Sequence, residues 1–409
     1  MSSALIKQML LKDRILTDKE RKNLAILEVI RKNGPISRTD ISKITELNIV
    51  TVSNYVNHYI RKGLVVEGEL DESTGGRKPV LVELNSKAGY IVGVGLNMLS
   101  IVAVLVDLEI NVITELKRER HPENSEQMIE KMVDLAAEII EKSDVEKDKI
   151  VGVGVGVPGI IDERGRTIRW PQSLGEKDIS VCLSIKDTFE RRLNIATFVE
   201  NDANAAVLGE KWLGLDRDVR HMLYMFSGVG CGVLINGEIY RGSTGAAGEL
   251  GIVSAKSSKE YAQDIAAQLG RWEMDIGMVH EAQELISGGE KSVLKDMVKG
   301  DIAKLGFKEI VHGVKEKDRV AMKVVERAGA RLGQKVAFLV NLLNPEIVVI
   351  GGGIEDCGAV LLDAIKSAVK EWAVEEASSQ VKIIPSAFGE NAVALGVVGI
   401  VAREVFAQA

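Results

Sequence analysis

The junction that follows Val199 constrains this chain more than any other stretch. An apolar strand pattern ends near Val199, and Glu200-Asn201-Asp202-Ala203-Asn204-Ala205-Ala206 follows at once. The alanine-rich run through Gly209 and Trp212 has a helical pattern that puts Asp202 close to its N-cap. A carboxylate there faces the positive end of the helix dipole and is expected to stay ionised, ready to hold a hydroxyl or take its proton. On its own, such a pair is an ordinary acidic cap. Two further stretches give it more weight. A second carboxylate, Glu249, sits among glycines in Gly242-Ser243-Thr244-Gly245-Ala246-Ala247-Gly248-Glu249-Leu250-Gly251, and Gly351-Gly352-Gly353 follows the strand pattern Ile347-Val348-Val349-Ile350.

Composition agrees with an α/β protein of more than one domain. The chain has 409 residues, which implies two or three domains, and 46% are hydrophobic. Glycine is abundant at 40 and aromatics are scarce at 4%, which suits tight strand-to-loop turns better than a β-sandwich. No apolar run approaches the roughly 20 residues of a membrane span, and Met1-Ser2-Ser3-Ala4 lacks a signal-peptide layout. Cys182, Cys231 and Cys357 lie far apart and form no CxxC, so a reduced cytoplasm is expected. The net charge of -7 hides a split: residues 1–90 hold 15 Lys+Arg and 11 Asp+Glu, the remainder 37 and 48. A basic surplus at one end of an acidic body points to nucleic acid at that end.

The basic end has its own pattern. Residues 5–33 show helical periodicity, stopped by Gly34-Pro35. Ser37-Arg38-Thr39-Asp40 opens a short helix with Ser37 as N-cap, and its Ile41 and Ile44 are expected to face inward. Asn48 can cap a third helix running to about Lys62, with Val52, Val56 and Ile60 on its apolar face. Its opposite face carries Thr51, Ser53, Asn54, Asn57, His58 and Arg61, side chains able to bond base edges or phosphates in a major groove. Two alternating segments, 64–69 and 80–84, read as a hairpin, and Arg77 and Lys78 near its tip suit the phosphate backbone or minor groove. Together these form a winged helix-turn-helix over residues 1–84, with an N-terminal helical extension and double-stranded DNA as its partner.

From Tyr90 the pattern is strand-rich. Residues 91–95 and 100–107 read as strands, 125–143 as an amphipathic helix, and 150–157 as a buried strand ending at Pro158-Gly159. Residues 222–240 repeat a strand pair, and 323–343 with 346–350 repeat a helix and strand. This order resembles the duplicated core of the sugar kinase, heat-shock ATPase and actin superfamily. The resemblance implies two α/β lobes around a cleft: 88–201 with 385–409 as the first, 202–384 as the second, and a last helix near 391–407 packing back on the first.

The stretches ENDANAA, GAAGELG and LVNLLNPEIVVIGGG together resemble one family, the ROK group of bacterial sugar kinases and sugar-responsive repressors, over nearly the whole chain from about residue 20. The resemblance alone does not separate kinase from repressor. A kinase of the family carries D-x-G-G-T-K between its first two strands; here Gly95-Leu96-Asn97-Met98-Leu99-Ser100 stands in that place, without the Asp or the paired glycines. Met98 and Leu99 would occupy the space of an ATP phosphate. The second phosphate loop is better kept, as Ser227-Gly228-Val229-Gly230-Cys231-Gly232, and Gly351-Gly352-Gly353 matches the turn that meets adenosine in the kinases. In the sugar site, Asn201 and Asp202 match the hydroxyl-binding Asn and the catalytic Asp, Glu249 matches the acid of G-E-x-G-H, and Pro158-Gly159 matches a loop bordering the sugar. The His of that motif is Ile252, and the segment 254–261 lacks the family's zinc-binding cysteines, so no metal is expected. Either Glu260 or Lys259 aligns with the acid that closes that segment.

The reading that results is a sugar-responsive DNA-binding regulator with a catalytically silent kinase-like body and no cofactor. It would read DNA through Thr51, Ser53, Asn54, Asn57 and Arg61 with Arg77 and Lys78 on the wing. It would bind a sugar or sugar phosphate through Pro158, Gly159, Asn201, Asp202 and Glu249, and act as a homodimer or tetramer on an inverted repeat. The competing reading is an active ATP-dependent sugar kinase carrying a DNA-binding head, with Asp202 as general base.

Overall fold

The computed structural model describes residues 10–11, 14–70, 79–97, 100–120, 125–162, 167–169, 184–214, 219–227, 230–250 and 277–409. The described part of its head starts with β1 (Leu10–Leu11) and β2 (Arg14–Ile15), which pair antiparallel, followed by α1 (Asp18–Asn33). Among the described residues, the helical pattern expected from residue 5 is helix from Asp18 on, and residues 5–9, 12 and 13 lie outside the described residues. Thr17 explains the start: its hydroxyl accepts from Glu20 N while the Glu20 carboxylate accepts from Thr17 N, a capping box that satisfies two helix-end donors.

After Gly34-Pro35 come β3 (Ile36–Ser37), α2 (Arg38–Thr45) and α3 (Ile49–Arg61). Ser37 caps α2 by accepting from Asp40 N at 3.1 Å, and Asn48 caps α3 by accepting from Thr51 N at 2.8 Å. Between the two helices Glu46 takes a left-handed conformation, φ 57°, which makes the turn. β4 (Val65–Leu70) and β5 (Val80–Leu84) pair antiparallel, and β3 joins the far edge of β5. The result is a winged helix, its core filled by Leu24, Leu27, Ile41, Val52, Val56, Tyr59 and Val82. Two inward assignments differ from expectation. Ile44 is 40% exposed and Thr45 is buried instead, because i+4 lies closer than i+3 to the direction of Ile41 on a helix. On α3, the full turn from Val52 and Val56 ends on Tyr59, which is fully buried, and Ile60 is only half-buried.

The body contains two five-stranded sheets of matching design. In the first, β6 (Tyr90–Leu96), β7 (Ser100–Asp107) and β8 (Val112–Glu119) form an antiparallel meander. α4 (Ser125–Lys142) then crosses to β9 (Ile150–Val157), parallel to β6. A small pair, β10 (Ile160–Ile161) with β11 (Thr167–Arg169), precedes α5 (Ile185–Leu193) and β12 (Thr197–Asn201), which lies parallel to β9. The sheet order is β12-β9-β6-β7-β8.

α6 (Asp202–Gly209), continued by a π turn at Glu210–Gly214, leads to β13 (Met222–Phe226), β14 (Gly230–Ile235) and β15 (Glu238–Ile239). Among the described residues, the α-helices that follow are α7 (Met278–Ser287), α8 (Val293–Met297), α9 (Phe307–Lys315) and the long α10 (Arg319–Leu343). Then come β16 (Ile347–Gly351), α11 (Ala359–Trp372), α12 (Glu375–Ser378) and β17 (Lys382–Pro385). The second sheet has the order β15-β14-β13-β16-β17, the same succession of three antiparallel and two parallel strands as the first.

α13 (Ala392–Ala407) returns to the first sheet, as its sequence position implied, and lies on β6 and β9. The alternation of glycine with valine in β9 has its reason here: a Cβ at Gly154 would meet Val397 Cβ and O at 2.8 Å. The helix comes close to the backbone of the sheet because the glycines remove the side chains between them. α13 also packs on α6, where a Cβ at Gly396 would fall 1.9 Å from Ala205 O. Its last turn, with Phe406 and Ala407, joins the core of the head. One buried helix thus touches the head, the first sheet and the helix that begins with Asp202.

Candidate functional site

On α3, Asn54, Asn57 and Arg61 are exposed, and Thr51 and Ser53 are half-buried at its flank. Asn57 Oδ1 accepts from Arg38 Nη2 at 3.3 Å, and the same guanidinium pairs with Glu67 at 2.8 Å, so α2, α3 and the first wing strand are tied together beside the exposed face. The sequence reading placed the start of this helix at Asn48 but did not single out the side chains of its first turn. Ile49 is exposed and Val50 is 66% exposed, apolar side chains on the turn that enters a groove first. Two adjacent apolar residues directly after a cap, outside the Val52-Val56 stripe, were the available signal. Arg77 and Lys78 lie outside the described residues, between two strands placed as the hairpin required.

In the body, β12 and α6 meet as the sequence indicated, with Asp202 next to the cap. Asn201 is the N-cap: its Oδ1 accepts from Asn204 N at 3.1 Å, and its Nδ2 donates to Gly159 O at 3.1 Å. That bond ties the Pro158-Gly159 loop to the mouth of the helix, with Gly159 in a conformation, φ 97°, that suits glycine. Asp202 is the first helical residue, 7% exposed, and its Oδ1 accepts from Ala203 N at 2.8 Å. It was expected to be fully ionised by the helix dipole. Instead burial, and then the nearby charge of Glu249, push its pKa up to about 7, against the pull of the Ala203 N–H and Arg120. Desolvation of a carboxylate beside a second acid outweighs the partial charge of a helix end.

Glu249 is half-buried on the loop that follows β15. The loop is pressed against β14: Cys231 N donates to Gly248 O at 2.8 Å, and Gly248, φ 85°, has no room for a Cβ, which would fall 1.8 Å from Cys231 O. At its base the loop is held by a pair the sequence reading did not assign. Arg241 grips the buried Glu200 with two bonds, Nη1 to Oε1 at 2.8 Å and Nη2 to Oε2 at 2.6 Å. Glu200 also accepts from Asn201 N at 2.8 Å. The signal was the acid immediately before Asn201 and a single arginine leading into the glycine loop. Asn201, Asp202, Glu249 and the Pro158-Gly159 loop are therefore brought to one place.

The turn between β6 and β7 is closed by Asn97 N donating to Ser100 O at 2.8 Å. The Asn97 side chain donates to Glu390 O at 2.6 Å, and Arg120 Nη1 donates to Asn97 O at 3.3 Å. Burial lowers the Arg120 pKa to about 10, while the charge of Asp202 raises it. Sequence reading missed Arg120, one isolated basic residue after a strand. Met98, Leu99, Gly228, Val229, Ile252 and the segment 254–261 lie outside the described residues, as does Cys182. The thiols of Cys231 and Cys357 are buried, and neither is in a disulfide among the described residues. Among the described residues, no three His, Cys, Asp or Glu side chains are grouped to hold a metal, and no helix is long and apolar enough to cross a membrane.

The arrangement of head and body has counterparts. The winged helix-turn-helix DNA-binding family matches residues 19–66, and the ROK family matches residues 91–404. The xylose repressor of Bacillus subtilis (strain 168) is 30% identical over 393 residues, covering 95% of this chain and 96% of that protein. A ROK family transcriptional regulator, described as a homologue of the Escherichia coli MLC protein, has a similar structure with TM-score 0.73 and 21% identity over 95% of this chain and 97% of its own. A ROK family glucokinase from Streptomyces griseus, solved with glucose and AMPPNP, aligns with TM-score 0.63 and 24% identity over 76% of this chain and 98% of its own. With a family match that spans most of its length and an actin-like body behind a winged head, the chain belongs to the ROK family.

Proposed function

We propose that the protein is a sugar-responsive transcriptional repressor whose kinase-like body binds a sugar or sugar phosphate without phosphorylating it. The carrying observation is the turn between β6 and β7. Where a kinase needs backbone N–H groups and an acid facing a magnesium phosphate, Asn97 is bonded to Glu390 O and the guanidinium of Arg120 caps Asn97 O. The cation in this part of the cleft belongs to the protein. Asn201, Asp202 and Glu249, with Pro158 and Gly159 at the border, supply hydroxyl partners, and the Glu200–Arg241 pair holds their geometry. The resemblance of the chain to a xylose repressor supports a carbohydrate effector.

DNA is read by Thr51, Ser53, Asn54, Asn57 and Arg61, with Val50 offering an apolar contact to a thymine methyl and Arg77 and Lys78 meeting phosphates from the wing. The working unit is a homodimer in the cytoplasm. Residues 1–84 form the DNA-binding unit, 88–201 with 385–409 the first lobe, and 202–384 the second. The surface offered for a second copy joins Phe338 and Leu342 on α10 to Trp372 at the end of α11 and Val374 just beyond it; all four are exposed and Phe338 is 66% so. Asn341 bridges the two segments through Trp372 O and Val374 N. A contiguous exposed apolar patch of this kind marks an interaction surface.

Selection of bound sequences from a random duplex pool, followed by release with pentoses, hexoses, amino sugars and their phosphates, tests this reading. Enrichment of an inverted repeat and release by one sugar class is the expected result; no enrichment, or release by none, overturns it. The kinase reading keeps one observation in its favour, an Asp202 poised near pH 7 as a base should be. ATP-dependent turnover of any sugar by the wild type, abolished in Asp202→Ala, would establish it.

A further inference from the structure

At the far end of α6 from Asp202, three buried oxygens have no hydrogen-bond partner among the described residues: Glu210 Oε2, Tyr224 OH and Glu355 Oε1. Glu210 and Tyr224 are fully buried. In each carboxylate the second oxygen is fixed. Glu210 Oε1 accepts from Ser386 Oγ at 2.5 Å and Ala387 N at 2.9 Å, and Glu355 Oε2 accepts from Gly353 N at 2.8 Å. Sheet register brings these groups together at one end of the second sheet. Tyr224 pairs with Val349, the Tyr224 hydroxyl reaches over Gly351, where a Cβ would lie 2.0 Å from it, and Ser386 N donates to Ile350 O at 2.8 Å.

An unpartnered buried oxygen is costly, and three on neighbouring elements, close enough to feel one another's charge, have no fold-level reason to be left so. The charges deepen the problem. Among the described residues no Lys, Arg or His forms an ion pair with Glu210 or Glu355. Burial raises the pKa of both, Glu355 to about 7, and Glu210 contributes to the rise at Glu355 as a like charge. The Tyr224 hydroxyl is pushed well up as well, by burial and then by the charge of Glu355, against the pull of the neighbouring Ser386 hydroxyl and Gly352 backbone, neither of which forms a well-aligned hydrogen bond with it. Two carboxylates whose negative charge burial disfavours, beside a neutral hydroxyl, suit a singly charged ion better than a doubly charged one. Magnesium demands a near-ideal octahedron, and calcium takes six to eight oxygens, mostly carboxylate.

We propose that Glu210, Tyr224 and Glu355 hold a buried monovalent metal cation, sodium or potassium, at the junction of α6, the 351–353 turn and the segment entering α13. Glu210 stands at the end of the helix that begins with Asp202, and Ser386 leads to the helix that reaches the head. An ion here fixes the segment between the lobes, and its loss loosens the setting of both helices.

The test uses the full chain exchanged into tetramethylammonium chloride, with melting followed as lithium, sodium, potassium or rubidium chloride replaces it at constant ionic strength. A saturable rise in Tm with sodium or potassium is expected. Tyr224→Phe keeps the ring and should weaken the apparent cation affinity about tenfold, in line with one lost charge-assisted contact. Should the variant fail to fold, the wild type still decides: a rubidium- or thallium-soaked crystal should show an anomalous peak beside Glu210 Oε2. Melting that ignores cation identity, a response to calcium or magnesium alone, or an anomalous map without that peak overturns the proposal.

Discussion

Tyr59 on α3 donates its hydroxyl to Asn23 Oδ1 at 2.8 Å, and Asn23 Nδ2 donates in turn to Ala407 O and Ala409 O, each at 2.9 Å. One buried amide spends its acceptor on the DNA-facing helix and its donors on the end of α13, the helix whose other end lies against α6. The link is short, rigid and fully buried, so a shift of α13 cannot leave α3 unmoved without breaking a bond. Asn23→Ala orphans two carbonyls and a phenol and should lower stability by roughly 1–3 kcal/mol in urea unfolding; Tyr59→Phe should cost less. Both variants should keep the melting-temperature rise given by the effector while losing part of the effector's power to release DNA in anisotropy titrations. If binding and release fall by the same factor, the link is structural and carries no signal.

The Glu200–Arg241 pair predicts a loss of another kind. Glu200 is almost completely buried and Arg241 partly exposed, so removing the arginine leaves a buried charge with its main partner gone. Arg241→Met should destabilise the protein by roughly 3 kcal/mol, the lower part of the range for breaking buried pairs because solvent reaches the arginine. Effector affinity should fall with it, since the loop bearing Glu249 loses its anchor. Calorimetric titration that shows unchanged affinity would mean the loop is held without the pair.

Asp202 gives a pH prediction with a definite sign. Its folded pKa of about 7 lies above the ordinary 3.8, so between those values the folded protein holds a proton that the unfolded chain releases. Stability then falls as pH rises through that window, by at most about 1.4 kcal/mol per unit from this group, and levels off above it. Asp202→Asn keeps the bond from Ala203 N and removes the ionisation. The variant should match the wild type near pH 4 and become progressively the more stable of the two up to about pH 7. Melting curves of both proteins across that range measure the difference directly; a constant gap would place the Asp202 pKa near that of an ordinary carboxylate.

What could be read in the sequence was local. Caps at Ser37 and Asn48, the hairpin pairing, the glycine-rich strand at 150–157 and the strand-to-helix junction at Asn201 all rest on neighbours within a few residues, where periodicity and capping chemistry act. The errors came from tertiary contacts. Asp202 was expected to be charged because its helix is visible in sequence and the cover that dries it is not. Arg241 and Arg120 carried no periodic signal, since their partners Glu200 and Asn97 lie 41 and 23 residues away. Tyr59 fits the pattern of α3 but could be placed in the core only once Asn23 was known to receive its hydroxyl.

The patch formed by Phe338, Leu342, Trp372 and Val374 predicts the assembly. Phe338→Glu with Leu342→Glu puts two charges where a second copy would bury apolar surface, with little effect on a monomer because both side chains are already exposed. Light scattering should show the wild type at twice the chain mass and the variant at the chain mass. Dimeric variant protein would move the interface to another face.

The head allows positioning and reading to be separated by substitution. A side chain that meets a phosphate contributes alike on every duplex and releases about one counterion, whereas one that meets a base edge contributes only on the right sequence. Arg77→Ala should therefore weaken binding to all duplexes and reduce the slope of log affinity against log salt by about 0.9. Asn54→Ala should leave that slope unchanged and cost about 1–3 kcal/mol on the preferred site alone, flattening discrimination at one position. Val50→Ala, on the exposed first turn of α3, should lose affinity only where a thymine stands at the contacted position, and replacing that thymine by uracil should reproduce the loss in the wild type. Two substitutions that alter affinity for every duplex in the same proportion would place α3 on the backbone and the reading elsewhere in the head.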